Sequence, residues 1–157
     1  DVRPPERMEQ KTTAEVYRIA LTFGAVCRTA VVKWADSAIQ EEAEPEEYLF
    51  RISLARDTKA LIQELDHVPG GVERELALCA VLRRLHQSLR SGRLTSKEVA
   101  RSLEVLAIDQ YGTPELRSQM YSFEDAYRAL KEGYGDEMAI QRSLVRFLSK
   151  NESDRPA

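Results

Sequence analysis

Cysteine and histidine are scarce in this sequence, and their scarcity excludes most metal centres. The 157 residues include two cysteines and two histidines. Two cysteines cannot form a disulfide framework, and neither has a companion at zinc-ligand spacing. Cys27 and Cys79 each follow an apolar residue. We therefore interpret both as reduced core residues of a cytosolic protein, with a single buried disulfide as the alternative.

The histidine positions do not support a metal site in a helical bundle. Glu64 and His67 have the Glu-x-x-His spacing that di-iron bundles use, but those sites need a second such motif. The only other histidine, His86, has Arg83 at the position where a carboxylate is needed. His67 fits the end of a helix, where it would interact with the dipole. We expect neither a metal nor another cofactor.

Signals for catalysis or nucleotide binding are also weak. A cysteine–histidine pair is geometrically possible, but a thiol on a buried helix face is a poor nucleophile. Gly70-Gly71 precedes a helix and could present N–H groups to an anion, yet the sequence has no P-loop lysine and no glycine-rich fingerprint. A turn is the better interpretation. We predict that the protein is not an enzyme and assign no catalytic residue.

Neither a membrane nor a nucleic acid is indicated as a partner. The longest apolar runs fall far short of the roughly 20 residues that cross a bilayer. Lys and Arg total 23 against 26 Asp and Glu, which gives a net charge of −3 and no basic excess. Leu94–Leu103 is similar to the first helix of a helix-turn-helix motif, but Glu104–Asp109 continues that helix where a turn is required. No N-terminal signal pattern is visible, and we predict a cytoplasmic location.

Apolar residues recur at helical spacing along nearly the whole chain, and no segment alternates as a strand would. Seven or eight helices are predicted, in one compact all-α domain at 12–150. A flexible lead-in at 1–11 and a flexible tail at 151–157 would flank it, with one marked seam at Pro69–Gly71. The inner faces include Val16, Ile19, Val31, Leu61, Leu65, Leu82, Leu85, Val99, Leu103, Phe123, Leu144 and Leu148.

Local signals set several helix boundaries. Thr12 or Thr13 is expected to cap the first helix, and Gly24 to end it. Pro45 suits the first turn of the third helix. Asp57 is expected to cap the fourth helix, and Thr95 and Glu98 form a capping box.

Three further details concern the faces and limits of single helices. In the third helix, Leu49 and Ile52 define an inner stripe that Tyr48, Phe50 and Leu54 would broaden. Met138 is placed on the inner face of the last helix. Glu115–Gln119 is predicted as one helical turn, separate from a helix over Ser122–Lys131.

The acidic run before the third helix is the sharpest surface feature. Five of the residues at 41–47 are glutamates: Glu41, Glu42, Glu44, Glu46 and Glu47. The run is either a solvated loop or a charged recognition edge with Tyr48 as its aromatic anchor. Such an edge would steer a basic partner toward the protein and raise the rate of association.

Two other features have both a structural and a functional interpretation. Tyr134, with Asp136 and Glu137, follows a glycine and is either folded onto the core or exposed as a contact residue. Trp34 is either a core residue or a binding hot spot.

Two segments carry a family resemblance. Val32–Ile39 with the acidic, proline-containing link and Leu49–Ala55, and later Ser122–Leu148 with its Tyr-Gly break, resemble small all-helical bacterial proteins of the toxin-immunity type. The resemblance implies that the chain binds a cognate protein toxin and occludes its active or substrate-binding surface. It assigns no functional residue. A non-enzymatic adaptor or regulatory domain in a larger assembly is the alternative, and the oligomeric state is left open.

Overall fold

The computed structural model describes residues 8–152, and in that range the protein is all-α, as the sequence predicted. It has eight helices over the described residues. They are α1 (Gln10–Phe23), α2 (Arg28–Glu41), α3 (Glu47–Ser53), α4 (Thr58–Asp66), α5 (Arg74–Ser91), α6 (Ser96–Ile108), α7 (Pro114–Lys131) and α8 (Glu137–Asn151).

The chain divides into two compact units, Asp1–Glu73 and Arg74–Ala157. Helices α1 to α4 belong to unit 1 and helices α5 to α8 to unit 2. The boundary lies between Glu73 and Arg74, two residues after the seam that was predicted at Pro69–Gly71. Of the lead-in predicted at 1–11, residues 1–7 lie outside the described range. Its last two residues, Gln10 and Lys11, belong to α1. Of the predicted tail, residues 153–157 lie outside the described range.

In unit 1, α1 packs against α4, α2 against α3, and α3 against α4. The predicted inner stripes supply this core, and each fully buried leucine or isoleucine contributes roughly 1.5–3 kcal/mol to its stability. Gly24 ends α1 as predicted, because its φ of 75° is a conformation that glycine adopts without strain. The fully buried apolar residues of this unit include Ala14, Ala20, Val31, Ala35, Leu49, Ile52, Leu61 and Leu65.

Two helix starts in unit 1 differ from the prediction. Helix α1 begins at Gln10, so neither Thr12 nor Thr13 caps it. Thr12 is instead buried, and its hydroxyl accepts a hydrogen bond of 3.0 Å from the N–H of Glu73. Pro45 precedes α3 and is not in its first turn, because Glu46 holds the extended N-cap position.

The interpretation of Cys27 as a core residue is wrong. Cys27 occupies the N-cap position of α2 and is exposed, while its neighbours Ala25 and Val26 are buried. A cap residue is extended, so the helical periodicity that would bury it does not apply. Cys79 is half-buried, and both cysteines are thiols in this structure.

In unit 2, α6 packs along α7, and α8 packs against α5, α6 and α7. The predicted capping box starts α6: the Thr95 hydroxyl accepts from the Glu98 N–H at 3.1 Å, and the Glu98 carboxylate accepts from the Thr95 N–H at 3.0 Å. The fully or almost fully buried residues of this core include Leu82, Leu85, Leu103, Leu106, Met120, Leu144 and Leu148.

The turn predicted separately at Glu115–Gln119 is the first part of α7. Thr113 caps this helix by accepting from the Leu116 N–H at 3.2 Å, and Pro114 occupies its first position. Nothing between this turn and Ser122 breaks the helix, because no glycine or proline lies there. The prediction of two elements was therefore wrong.

Candidate protein-binding surface

The acidic run forms the connection between α2 and α3 in unit 1. Helix α2 ends at Glu41, and the chain then extends at Glu42, with φ −104° and ψ 136°. The side chains of Glu41, Glu44, Glu46 and Glu47 are exposed, whereas Glu42 is half-buried. Four of the five glutamates therefore present carboxylates to solvent at one end of a helix pair.

Glu42 and Tyr48 belong to a hydrogen-bonded link between three helices. The side-chain amide of Gln10 donates to Glu42 Oε1 at 2.5 Å, and the Tyr48 hydroxyl donates to Gln10 Oε1. Burial raises the pKa of the Tyr48 phenol, and the nearby carboxylates of Glu46 and Glu42 raise it further. Tyr48 thus ties the acidic connection to α1 and is only half-exposed.

The outward side of α3 carries apolar residues that the sequence placed inside. Leu49 and Ile52 are fully buried, but Phe50 is 43% exposed and Leu54 is 77% exposed. A turn of 3.6 residues puts positions 50 and 54 on the same side, away from the packed pair. The prediction that both would broaden the inner stripe was wrong, because a helix of seven residues buries only one narrow face.

Charged residues border these two apolar side chains. Glu46 directly precedes α3, and Glu47 forms an ion pair of 2.9 Å with Arg51 one turn later. That pair raises the pKa of Arg51, chiefly through its hydrogen bond to the carboxylate. We call Glu46, Glu47, Phe50, Arg51 and Leu54 the α3 face. It combines exposed apolar area with a carboxylate-rich border, which the acidic run extends.

The second group of candidate residues lies in unit 2, before α8. Tyr134 is 69% exposed and stands between two glycines with φ of 93° and 99°. Its ring is therefore exposed and is not folded onto the core. Asp136 accepts a hydrogen bond of 3.1 Å from the Met138 N–H and so caps α8, whose first residue is Glu137. This group and the acidic run belong to different units.

Trp34 packs against α1 within unit 1. It is half-buried on α2, and its ring lies 5.4 Å from that of Tyr17 at an interplanar angle of 41°. This contact joins α1 and α2 within unit 1. Its main role is therefore packing.

Phe50 and Leu54 are the candidate residues that sequence reasoning missed. The available signal was the short distance between Pro45 and Asp57, because the eleven residues between them leave room for at most about three turns of helix. Asp57 accepts from the Ala60 N–H at 2.8 Å and starts α4, as predicted. A helix limited in this way can bury Leu49 and Ile52 but not all five of its large apolar side chains.

The described residues show little that resembles a catalytic centre. A cavity of about 500 Å³ opens in unit 2 between α5, the start of α7 and the end of α8, with Cys79 in its wall. Neither histidine is among the described residues that line this cavity. Within residues 8–152, no three His, Cys, Asp or Glu side chains cluster as metal ligands. No helix in that range has the length and apolar content to cross a membrane.

Comparison of the chain with protein-family models, with curated proteins and with solved structures found no match.

Proposed function

We propose that this chain is an immunity-type protein, which binds a cognate protein toxin and occludes the active or substrate-binding surface of that toxin. The observation that carries the proposal is the α3 face. Phe50 and Leu54 are exposed there, directly beside a run of exposed carboxylates. Exposed apolar area with a charged border is typical of a protein-binding surface.

The two kinds of side chain have different roles in the proposed complex. Phe50 and Leu54 lose their contact with water when the toxin binds, and such central apolar anchors supply most of the affinity of an interface. Glu44 and Glu46 attract a basic surface over a longer distance, so they raise the association rate. The partner expected from this division is a protein with a basic cleft that contains an apolar pocket.

The scaffold supports tight binding because the α3 face is formed before the partner arrives. Leu49 and Ile52 fix the inner side of α3, and the Glu42–Gln10–Tyr48 link fixes its start. A surface held in this way loses little conformational entropy on binding. A toxin that acts on nucleic acid would have a phosphate-binding cleft, which the carboxylates could fill in place of phosphates.

The test begins with affinity capture of partners from the natural host, with the full chain as bait. The expected partner binds with one-to-one stoichiometry, kills a bacterial expression host when produced alone, and is harmless when this chain is produced with it. Phe50→Ala/Leu54→Ala should weaken binding by at least about tenfold, mainly through faster dissociation. Glu44→Lys/Glu46→Lys should slow association and reduce its dependence on salt.

The matched control is Val105→Ala/Ile108→Ala, which removes two exposed apolar side chains from α6 in unit 2. It should leave affinity and protection unchanged. Unchanged affinity in the α3 variants would reject the α3 face as the binding site. Several substoichiometric partners without any protection would instead support the adaptor function.

A further inference from the structure

Helix α8 in unit 2 has an outer face that its packing does not explain. Met138 is 65% exposed and Val145 is 41% exposed, and Arg142 and Arg146 are exposed beside them. The placement of Met138 on the inner face was therefore wrong. These four residues, which we call the α8 face, follow helical spacing and line a shallow depression of about 490 Å³ together with Gln141.

The fold does not need the α8 face. The opposite side of α8 supplies the packing, since Leu144 and Leu148 are fully buried and Ile140 and Phe147 nearly so. The outer side of a surface helix is usually polar throughout. The guanidinium groups on this face form no ion pair with any side chain of residues 8–152. Apolar area and positive charge are thus both available to a partner.

The α3 face has the opposite charge and the same arrangement. Each face presents two exposed apolar side chains, from α3 and its C-cap Leu54 in one case and from α8 in the other, bordered by charges of one predominant sign. Glu46 of the α3 face and Glu44 of the adjoining acidic run are the acidic groups on one side, and Arg142 and Arg146 are the basic groups on the other. Like the arginines, these two glutamates form no ion pair with a side chain in the described range.

We propose that the α8 face of one copy of this chain docks on the α3 face of a second copy. Among the large apolar side chains of residues 8–152, Leu54 is the most exposed, and it would enter the depression beside Met138 and Val145. The carboxylates of Glu44 and Glu46 would then lie opposite the arginines. Apolar burial and charge pairing thus act together in the same contact.

The contact joins two different surfaces, so it is heterologous. Each copy that uses its α3 face still has an unused α8 face, and further copies can add until the assembly closes or ends. Two short helix faces bury much less than the standard interface of about 1,600 Å². The association is therefore weak, rises with protein concentration, and falls as salt screens the charges.

The first measurement is the weight-average mass of the full chain by sedimentation equilibrium, from micromolar to millimolar concentrations at low and high salt. The mass should rise with concentration at low salt, and it should rise less at high salt because the charges are screened. A single copy under all conditions would overturn the proposal. No toxin is present, so this result is independent of the proposed function.

A mixing experiment then tests the head-to-tail arrangement. Phe50→Ser/Leu54→Ser removes the apolar part of the α3 face, and Met138→Ser/Val145→Ser does the same for the α8 face. Each variant alone should remain a single copy, because one side of every contact is missing. An equimolar mixture retains one intact pair of faces and should stop at two copies. A mixture that stays at one copy, or a variant that still associates alone, would contradict the proposal.

Charge exchange provides a second, independent test. Glu44→Arg/Glu46→Arg and Arg142→Glu/Arg146→Glu should each abolish association, and all four changes in one chain should restore it. Failure of the combined variant to associate, with its circular dichroism unchanged, would show that these charges do not meet. Val105→Ser/Ile108→Ser is the matched control and should associate like the original chain; loss of association in this variant would also contradict the proposal.

Discussion

His86 Nδ1 lies 2.7 Å from Oε2 of Glu152, so the fourth turn of α5 holds the end of α8. The imidazole is almost fully buried, and Glu152 is the residue that follows α8. A carboxylate can only accept, so His86 donates through Nδ1. Arg83 adds a hydrogen bond of 3.2 Å to the backbone carbonyl of Glu152. Unit 2 therefore has a polar clamp beside its apolar core.

Loss of this clamp should destabilise unit 2. Glu152→Ala leaves the buried imidazole N–H without its acceptor, and we expect the free energy of unfolding to fall by about 1–3 kcal/mol. Chemical denaturation at neutral pH measures the change. Glu132→Ala, at an exposed position after α7, is the control and should change little. Equal effects of the two variants would show that the His86 contact contributes nothing specific.

The capping box of α6 should have a measurable effect of its own. Thr95→Ala removes the hydroxyl that accepts from the Glu98 N–H, and we expect a loss of about 1 kcal/mol in the free energy of unfolding. Thr95→Ser keeps the hydroxyl and should retain most of the stability. A serine variant as unstable as the alanine variant would indicate that the hydroxyl is not the cause.

Tyr48 should titrate at a higher pH than an ordinary tyrosine. Its pKa is raised from the usual 10.0, first by burial and then by the carboxylates of Glu46 and Glu42. The folded state thus holds this proton more tightly than the unfolded state. The stability from this group is complete below the unfolded pKa and is lost as the pH rises through the folded pKa.

Absorbance of the ionised phenol, measured against pH, tests this prediction. Burial also raises the pKa of Tyr127, so Tyr48→Phe should reduce the late-titrating component by one phenol, and Tyr134→Phe, which changes an exposed ring, should leave that component in place. If Tyr48→Phe instead removed absorbance that titrates at the pH of an ordinary tyrosine, the raised pKa of Tyr48 would be contradicted.

Truncation of a buried and of an exposed side chain near α3 should have very different effects on the free energy of unfolding. Ile52 is fully buried, so Ile52→Ala should lower the free energy of unfolding by about 2–5 kcal/mol. Leu54 is exposed two positions later, and Leu54→Ala should change stability by no more than about 0.5 kcal/mol. Thermal and chemical denaturation of both variants would test this difference. Similar losses would mean that Leu54 is packed in solution.

The features that sequence predicted correctly are those set by neighbouring residues. The capping box at Thr95, the Asp57 cap and the stop at Gly24 each depend on atoms within a few positions along the chain. Helical periodicity likewise identified the most deeply buried residues, such as Leu103 and Leu144. These interactions form whatever the tertiary arrangement, so one sequence contains enough information to find them.

The wrong predictions concern features that tertiary packing determines. Phe50, Leu54 and Met138 are apolar and lie close to the inner stripes, and only the position of the neighbouring helices decides that they remain exposed. Thr12 has the chemistry of a helix cap but is used for a hydrogen bond to Glu73, which is distant in sequence. The exposed apolar residues of the α3 face could not be separated from the core by periodicity alone.

The short length of α3 has a consequence for divergence among descendants of this protein. Leu49 and Ile52 hold the helix in place, while the largely exposed Leu54 contributes little to that task. Mutations at the outward positions can accumulate without unfolding the chain, and each one alters the shape offered to other molecules. Recognition can therefore change rapidly on a framework whose inward residues stay constant.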